Sequence, residues 1–228
     1  MLHYNLDPEV EAFSTNIEDN CNIDVILPQH QGHTSYVRRV PEELEDITGV
    51  DALITDAPGL RIGIKTADCV PVLVADKRRK AIAAIHSGWK GTRLNIIHET
   101  LERMRREFGT ETCDLQAVIG PCIHLAAFEV GEDLVDAFRG DTPREEYRFA
   151  RLLPHPKTGV VKWHLDLPGI CRQQLVDEGV ASECIELRPE CTWEMHDRFY
   201  SARRLGREFG SQRILNCIML KSPGPTAL

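Results

Sequence analysis

The chain has 228 residues, 35 Asp and Glu against 27 Lys and Arg, and a formal charge of −8. The length supports a sizeable core, and the acidic balance argues against a general nucleic-acid binder, because phosphate backbones reward basic surfaces. No apolar run reaches the roughly 18 residues of a transmembrane helix, and the N-terminus lacks a basic region followed by an apolar one, so neither membrane span nor secretory leader is expected. Eight cysteines occur without a single C-x-x-C pair, which weighs against zinc ribbons and thioredoxin-type chemistry and favours reduced thiols in a cytoplasm.

In chain order, residues 1–20 are polar, and only Val10 to Ser14 reads there as a strand. Asn22 to Leu27 predicts a strand stopped by Pro28. The loop Gln29-His30-Gln31-Gly32-His33-Thr34 follows, then a strand candidate around Val37. Glu42 to Asp46 is an acidic turn or short helix. Val50 to Thr55 and Leu60 to Ile64 predict strands separated by a Pro58-Gly59 turn. Val70 to Ala75 and Lys80 to Ile85 are apolar runs joined by Asp76-Lys77-Arg78-Arg79, the pattern of a buried antiparallel hairpin. Leu94, Ile97, Leu101, Met104 and Phe108 then recur at three and four, one face of a helix with Thr92 as N-cap and Gly109 as stop. Leu115 to Ile119 is a strand ending at Gly120-Pro121. A second helix carries Leu134, Val135 and Phe138 on its buried side. Residues 141–147 and the Pro/Gly stretch holding His155 are expected at the surface. Asp166 caps a third helix with Pro168 early and Gly179 at its end. The final apolar run, Ile214 to Leu220, is a strand. No repeat or composition break divides residues 1–228, so one domain is expected.

The central hairpin carries the chemistry. Cys69 precedes its first strand and His86 follows its second, so antiparallel pairing brings both to one end. A thiol and an imidazole there suggest a metal site or a Cys–His dyad; a buried free thiol beside an unrelated histidine is the plain alternative. Gly88, Gly91 and Thr92 lie between a strand end and a helix start, where backbone N–H groups can meet an anion, although no Walker pattern is present.

Together DALITDAPG, TADCVPVLVAD, AAIHSGWKGT, AVIGPCI, FEVG and CTWEMHDRFYSARRLGREFG resemble the YfiH or laccase-domain family, in the family's order and from about residue 22 onward. The specific part is TADC-x-P followed by H-x-G-W-K-G. The resemblance implies an α+β fold, mixed β-sheets in a sandwich flanked by helices, with a metal held by a loop histidine, the TADC cysteine and the HxGW histidine. The last two are Cys69 and His86. His33 aligns as the loop ligand, leaving His30 beside the pocket. One departure stands out: relatives continue from a Phe-Ser motif into an arginine and a glycine-rich stretch, whereas Phe13-Ser14-Thr15 here runs into Asn16-Ile17-Glu18.

Two imidazoles and a thiolate suit Zn²⁺ and leave one position open, and copper is the alternative metal. A metal-bound Cys69 is no free nucleophile, and Asp68 beside it either handles a proton or braces the turn. The resemblance further implies phosphorolysis of adenosine, inosine, guanosine and methylthioadenosine, and deamination of adenosine. Phosphate candidates are Lys90 in the Gly88–Thr92 turn, and Arg203 and Arg204, since Arg binds phosphate bidentately. Purine nucleosides and phosphate are thus the expected partners, and a homodimer stays open. Competing readings are a copper-dependent polyphenol oxidase, a cysteine-type amide hydrolase acting on a peptidoglycan precursor through Cys69 and His86, and a structural zinc site closed by Cys122, Cys191 or His124.

Overall fold

The hairpin strands are apolar except at their ends, at Asp76, His86 and Ser87, because both of their faces are covered. In β6 (Val70–Asp76) and β7 (Ala81–Ser87), every residue is buried. Val70, Val72, Val74, Ala83 and Ile85 face one core, while Leu73, Ala75, Ile82 and Ala84 face another. This is the period-two division of a strand between two layers. The computed structural model describes residues 1–19, 22–154, 158–208 and 210–222, and only the backbone of Asp46 and Arg207. Cys21 and His155 lie outside the described residues.

The two strands centre a six-stranded mixed sheet, in the order β12 (Ile185–Leu187), β8 (Leu115–Ile119), β6, β7, β4 (Ala52–Thr55), β3 (Val37–Arg39). A four-stranded antiparallel sheet covers one face, in the order β1 (Leu2–Tyr4), β2 (Val10–Ser14), β13 (Ile214–Leu220), β5 (Arg61–Thr66). Ile62, Ile64 and Ile218 of that sheet meet Leu73, Ile82 and Leu53 in the core between the sheets. The other face carries α2 (Ile96–Phe108) and α4 (Leu167–Asp177), whose Ile97, Leu101, Met104, Ile170 and Leu175 complete the second core. The fold is thus α+β, with a mixed central sheet packed between an antiparallel sheet and helices.

A smaller sheet, β10 (Ala150–Pro154), β11 (Val161–Leu165) and β9 (Glu129–Val130), joins α3 (Glu132–Arg139) at one end. None of its strands stands out in the sequence, because Leu152 and Val161 are exposed and the alternation is weak. Leu2–Tyr4 is likewise a strand inside a stretch that reads as polar. It pairs with β2, and the Tyr4 hydroxyl donates to Ser14 Oγ at 2.6 Å.

Two expected elements change form. Asn22 to Leu27 is not a strand; it touches β5 through one bridge, Ile26 to Ile62, with Ile26 N–H donating to Arg61 O and Gly63 N–H to Ile26 O. That contact covers the outer edge of β5 without extending the sheet, a common way to blunt an edge. The helix expected from Thr92 is two helices. α1 (Trp89–Arg93) follows the N-cap Gly88, and Asn95, at φ 55°, breaks the chain before Ile96. Asn tolerates this left-handed conformation, and Leu94, which the spacing placed on the buried face, is 55% exposed. Thr92 lies inside α1, its hydroxyl donating to Gly88 O. Gly109, at φ 69°, does end α2, and Asp166 does cap α4 by accepting from Gly169 N–H at 3.0 Å.

Candidate metal centre

Pairing in the hairpin sets Val70 opposite Ser87 and Pro71 opposite His86, which brings Cys69 and His86 to the same end. The third group arrives from the loop before β3. His33 adopts φ 56° and places Nε2 3.8 Å from Cys69 Sγ, with its ring edge-on to His86 at 4.8 Å between centroids. Ligand atoms of His33, Cys69 and His86 all lie within 4.8 Å of one another. Gly88 makes room for them: a Cβ there would stand 2.7 Å from His33 Cδ2 and 3.1 Å from Cys69 Sγ. Donor chemistry and convergence fit a borderline-soft ion such as zinc. Among the described residues the other such group is His98, Glu102 and Glu178, and none of Cys122, Cys191 and His124 belongs to either.

Asp51, which sequence reasoning missed, organises this triad. It is fully buried, and its Oδ1 accepts from His86 Nδ1–H at 2.7 Å. That bond fixes the proton on Nδ1 and leaves Nε2 as the ligating nitrogen, the usual arrangement behind a metal-bound imidazole. Asp51 Oδ2 accepts from Thr34 N–H at 2.6 Å and Thr34 Oγ at 2.8 Å, so one carboxylate also holds the residue next to His33. The only signal in the sequence is an acid at the mouth of an otherwise apolar strand.

Electrostatics follow from these contacts. Burial opposes a Cys69 thiolate, but hydrogen bonds from His33 and His86 outweigh it and lower the thiol pKa to about 6. Burial likewise opposes a charged His86, yet Asp51 and Cys69 raise its pKa to about 9. Asp51 is held below the usual carboxylate range despite its burial, through His86 and Thr34.

The triad floors a cleft of about 570 Å³, whose walls include His30, Gln31, Lys65 and Arg213. The Gln31 amide pairs with both the N–H and the C=O of Lys65, at 2.7 Å each, tying the histidine loop to the end of β5. Asp68 does not line this cleft. At φ 86°, it accepts from Thr192 Oγ and Arg203 N–H at 2.6 Å each, while its carbonyl accepts from Ile123 N–H. Both carboxylate oxygens brace the turn that presents Cys69. The expected phosphate ligands also lie elsewhere. Lys90 projects from α1 over Trp89, Arg203 donates to Glu129 O above the Phe128 ring, and Arg204 donates to Trp193 O over that indole. Each cation has an aromatic face at hand, which spacing alone did not reveal.

Fold and triad together define a laccase-like, metal-site class of protein, and the family model described as multi-copper polyphenol oxidoreductase laccase matches residues 7–221. The chain belongs to that family. Purine nucleoside phosphorylase from Bacteroides thetaiotaomicron is 50% identical over 208 residues, 86% of this chain and 73% of its own length. Adenosine deaminase RL5, from an unknown prokaryotic organism, is 37% identical over 197 residues, covering 82% and 72%. Among solved structures, the Bacillus licheniformis hypothetical protein YfiH superposes with a TM-score of 0.74 at 30% identity, covering 87% of this chain and 74% of that one. No helix among the described residues is long and apolar enough to cross a membrane.

Proposed function

We propose that the chain is a zinc-dependent purine nucleoside enzyme, cleaving adenosine, inosine, guanosine and methylthioadenosine with phosphate and deaminating adenosine. The observation that carries the reading is the convergence of His33, Cys69 and His86, with no fourth protein ligand in the group among the described residues, on the floor of an open cleft. Its volume, about 570 Å³, falls in the range of small-molecule sites, about 300–1,000 Å³. Support also comes from relatives named as a purine nucleoside phosphorylase and an adenosine deaminase.

His33, Cys69 and His86 would hold the ion, which supplies Lewis acidity when bound. The protein's own groups do the positioning. Asp51 keeps the Nδ1 proton on His86, Gly88 leaves space for His33 and the thiolate, and the Gln31–Lys65 pairing sets the histidine loop at a fixed distance from β5. His30 offers a polar ring on the wall for the nucleoside. The free thiols of Cys69, Cys113, Cys122, Cys171, Cys184, Cys191 and Cys217 fit a reducing cytoplasm. Zinc-loaded protein incubated with adenosine should yield inosine without phosphate, and adenine with ribose 1-phosphate when phosphate is added. Absence of all three products would refute the reading.

One observation favours a second reading. Cys69, His86 and Asp51 form a thiol–imidazole–carboxylate series of the kind used by cysteine hydrolases. Amide hydrolysis that survives chelation and is lost on Cys69 alkylation would select it.

A further inference from the structure

Where α2 meets α4, apolar packing gives way to a seam of hydrogen-bond acceptors. Spacing by three and four sets Asn95, His98 and Glu102 along one side of α2, with Asn95 as its N-cap, and spacing by four sets Gln174 a turn before Glu178 on α4. The two rows are joined at two levels. Gln174 Nε2 donates to Thr92 O at 2.8 Å, the carbonyl that also accepts from Asn95 N–H at 3.0 Å. One turn along, His98 Nδ1 and Glu178 Oε1 share a hydrogen bond of 2.7 Å. Ligand atoms of His98, Glu102 and Glu178 all lie within 4.8 Å of one another. Glu102 meets Arg105 through Oε1, which leaves Oε2 for another partner. Two more acceptors at the first level, Asn95 Oδ1 and Gln174 Oε1, are buried and have no donor among the described residues.

A buried acceptor without a donor is costly, and so are two carboxylates held side by side. Both costs fall when a cation sits between the carboxylates and its bound waters donate to the carboxamide oxygens. We propose that His98, Glu102 and Glu178 form a second metal site, for a divalent first-row cation that favours oxygen, such as Mn²⁺. The site shares no residue with the triad, is independent of the nucleoside reading, and pins α2 to the end of α4. The imidazole sets it apart from an acidic patch. One histidine with two carboxylates suits a borderline-to-hard ion, whereas the thiolate of the triad selects a softer one. Position adds to the attraction, because Glu178 is the C-cap of α4, where the last carbonyls carry the negative end of the helix dipole. The His98 side chain is 42% exposed and that of Glu178 16%, so an ion can enter from solvent and meet a carboxylate already held in place. With Arg105 competing for Glu102 and no sulfur donor, this site fills at higher metal concentration than the triad.

The test adds Mn²⁺ to the full chain carrying one equivalent of zinc, and counts free and bound Mn²⁺ by electron paramagnetic resonance. Wild type should take up one Mn²⁺ in a saturable step. His98→Ala and Glu178→Gln should each weaken that step at least tenfold, since even the hydrogen-bond partner of a metal ligand is worth about 10–100-fold in affinity. Circular dichroism, melting and retained zinc establish that each variant is folded. Glu102→Gln, an isosteric change on a side chain 37% exposed, takes the place of either variant that fails this check, with the same loss expected. Mn²⁺ bound equally well by wild type and the folded variants sits elsewhere and overturns the site. A wild type with no saturable uptake overturns it too, and leaves His98 and Glu178 as a hydrogen-bonded pair only.

Discussion

Two thiol-bearing regions lie on either side of the Asp68 turn, and they differ in everything but the residue type. Cys69 is half-buried among two imidazoles and has its pKa lowered to about 6. Cys122 and Cys191, joined by a short parallel bridge behind the turn, are buried, and burial raises Cys122 well above its ordinary value. Cys171, near Ser87 and Thr92, is raised to about 11 by burial, and Cys217 in β13 to about 12. Cysteine reactivity in this fold is decided by whether imidazoles beside the sulfur outweigh its burial. A count of cysteines therefore says little about chemistry until the neighbours are known.

The contrast can be broken most severely at the triad itself. Cys69→Ala and His86→Ala should each abolish stoichiometric zinc binding and turnover, by metal analysis and the adenosine assay; either variant keeping both would remove the basis of the site. Next in size is Asp51→Asn. If the amide oxygen faces Thr34, its NH₂ faces His86 Nδ1 and drives the ring to the other tautomer; if it faces His86, two donors confront each other at Thr34. Zinc affinity should fall about 10–100-fold, with 15N chemical shifts of His86 reporting the tautomer. Asp68→Ala strips the acceptors of Thr192 Oγ and Arg203 N–H and should cost about 2–3 kcal/mol in urea unfolding.

Alkylation sharpens the same comparison with pH as the variable. In chelated protein the Cys69 rate should rise as pH climbs through about 6 and level off above it, because the thiolate is the nucleophile and its pKa lies there. Cys171 should stay unlabelled over that range, its pKa being near 11. Peptide mapping after iodoacetamide distinguishes the two. The smallest effect belongs to Cys171→Ala, which should lower stability by about 1 kcal/mol and leave zinc content intact.

Much of this frame was legible along the chain. The hairpin, the caps at Asp166 and Gly109, and the strands 70–76, 81–87, 115–119 and 214–220 announce themselves because local hydrophobic period and capping chemistry suffice. The motifs TADC and HSGW, with the His30–His33 loop, supplied three side chains that the structure does bring together. Local reading broke down at Asn95, where a left-handed residue splits one apolar stripe into two helices, and at β10–β11, where half-exposed strands lack clean alternation.

What the sequence by itself determined is the set of chemically able residues and the strands that carry most of them, since a strand buried on both faces must be apolar along most of its length. Only the tertiary structure decided which polar groups share a space. Asp51 behind His86, Asp68 bound to Thr192 and Arg203, and Lys65 beside Arg213 are meetings between segments distant in the chain, residues 35 to 148 positions apart. Their distances depend on how strands register and sheets stack, and no local periodicity encodes that.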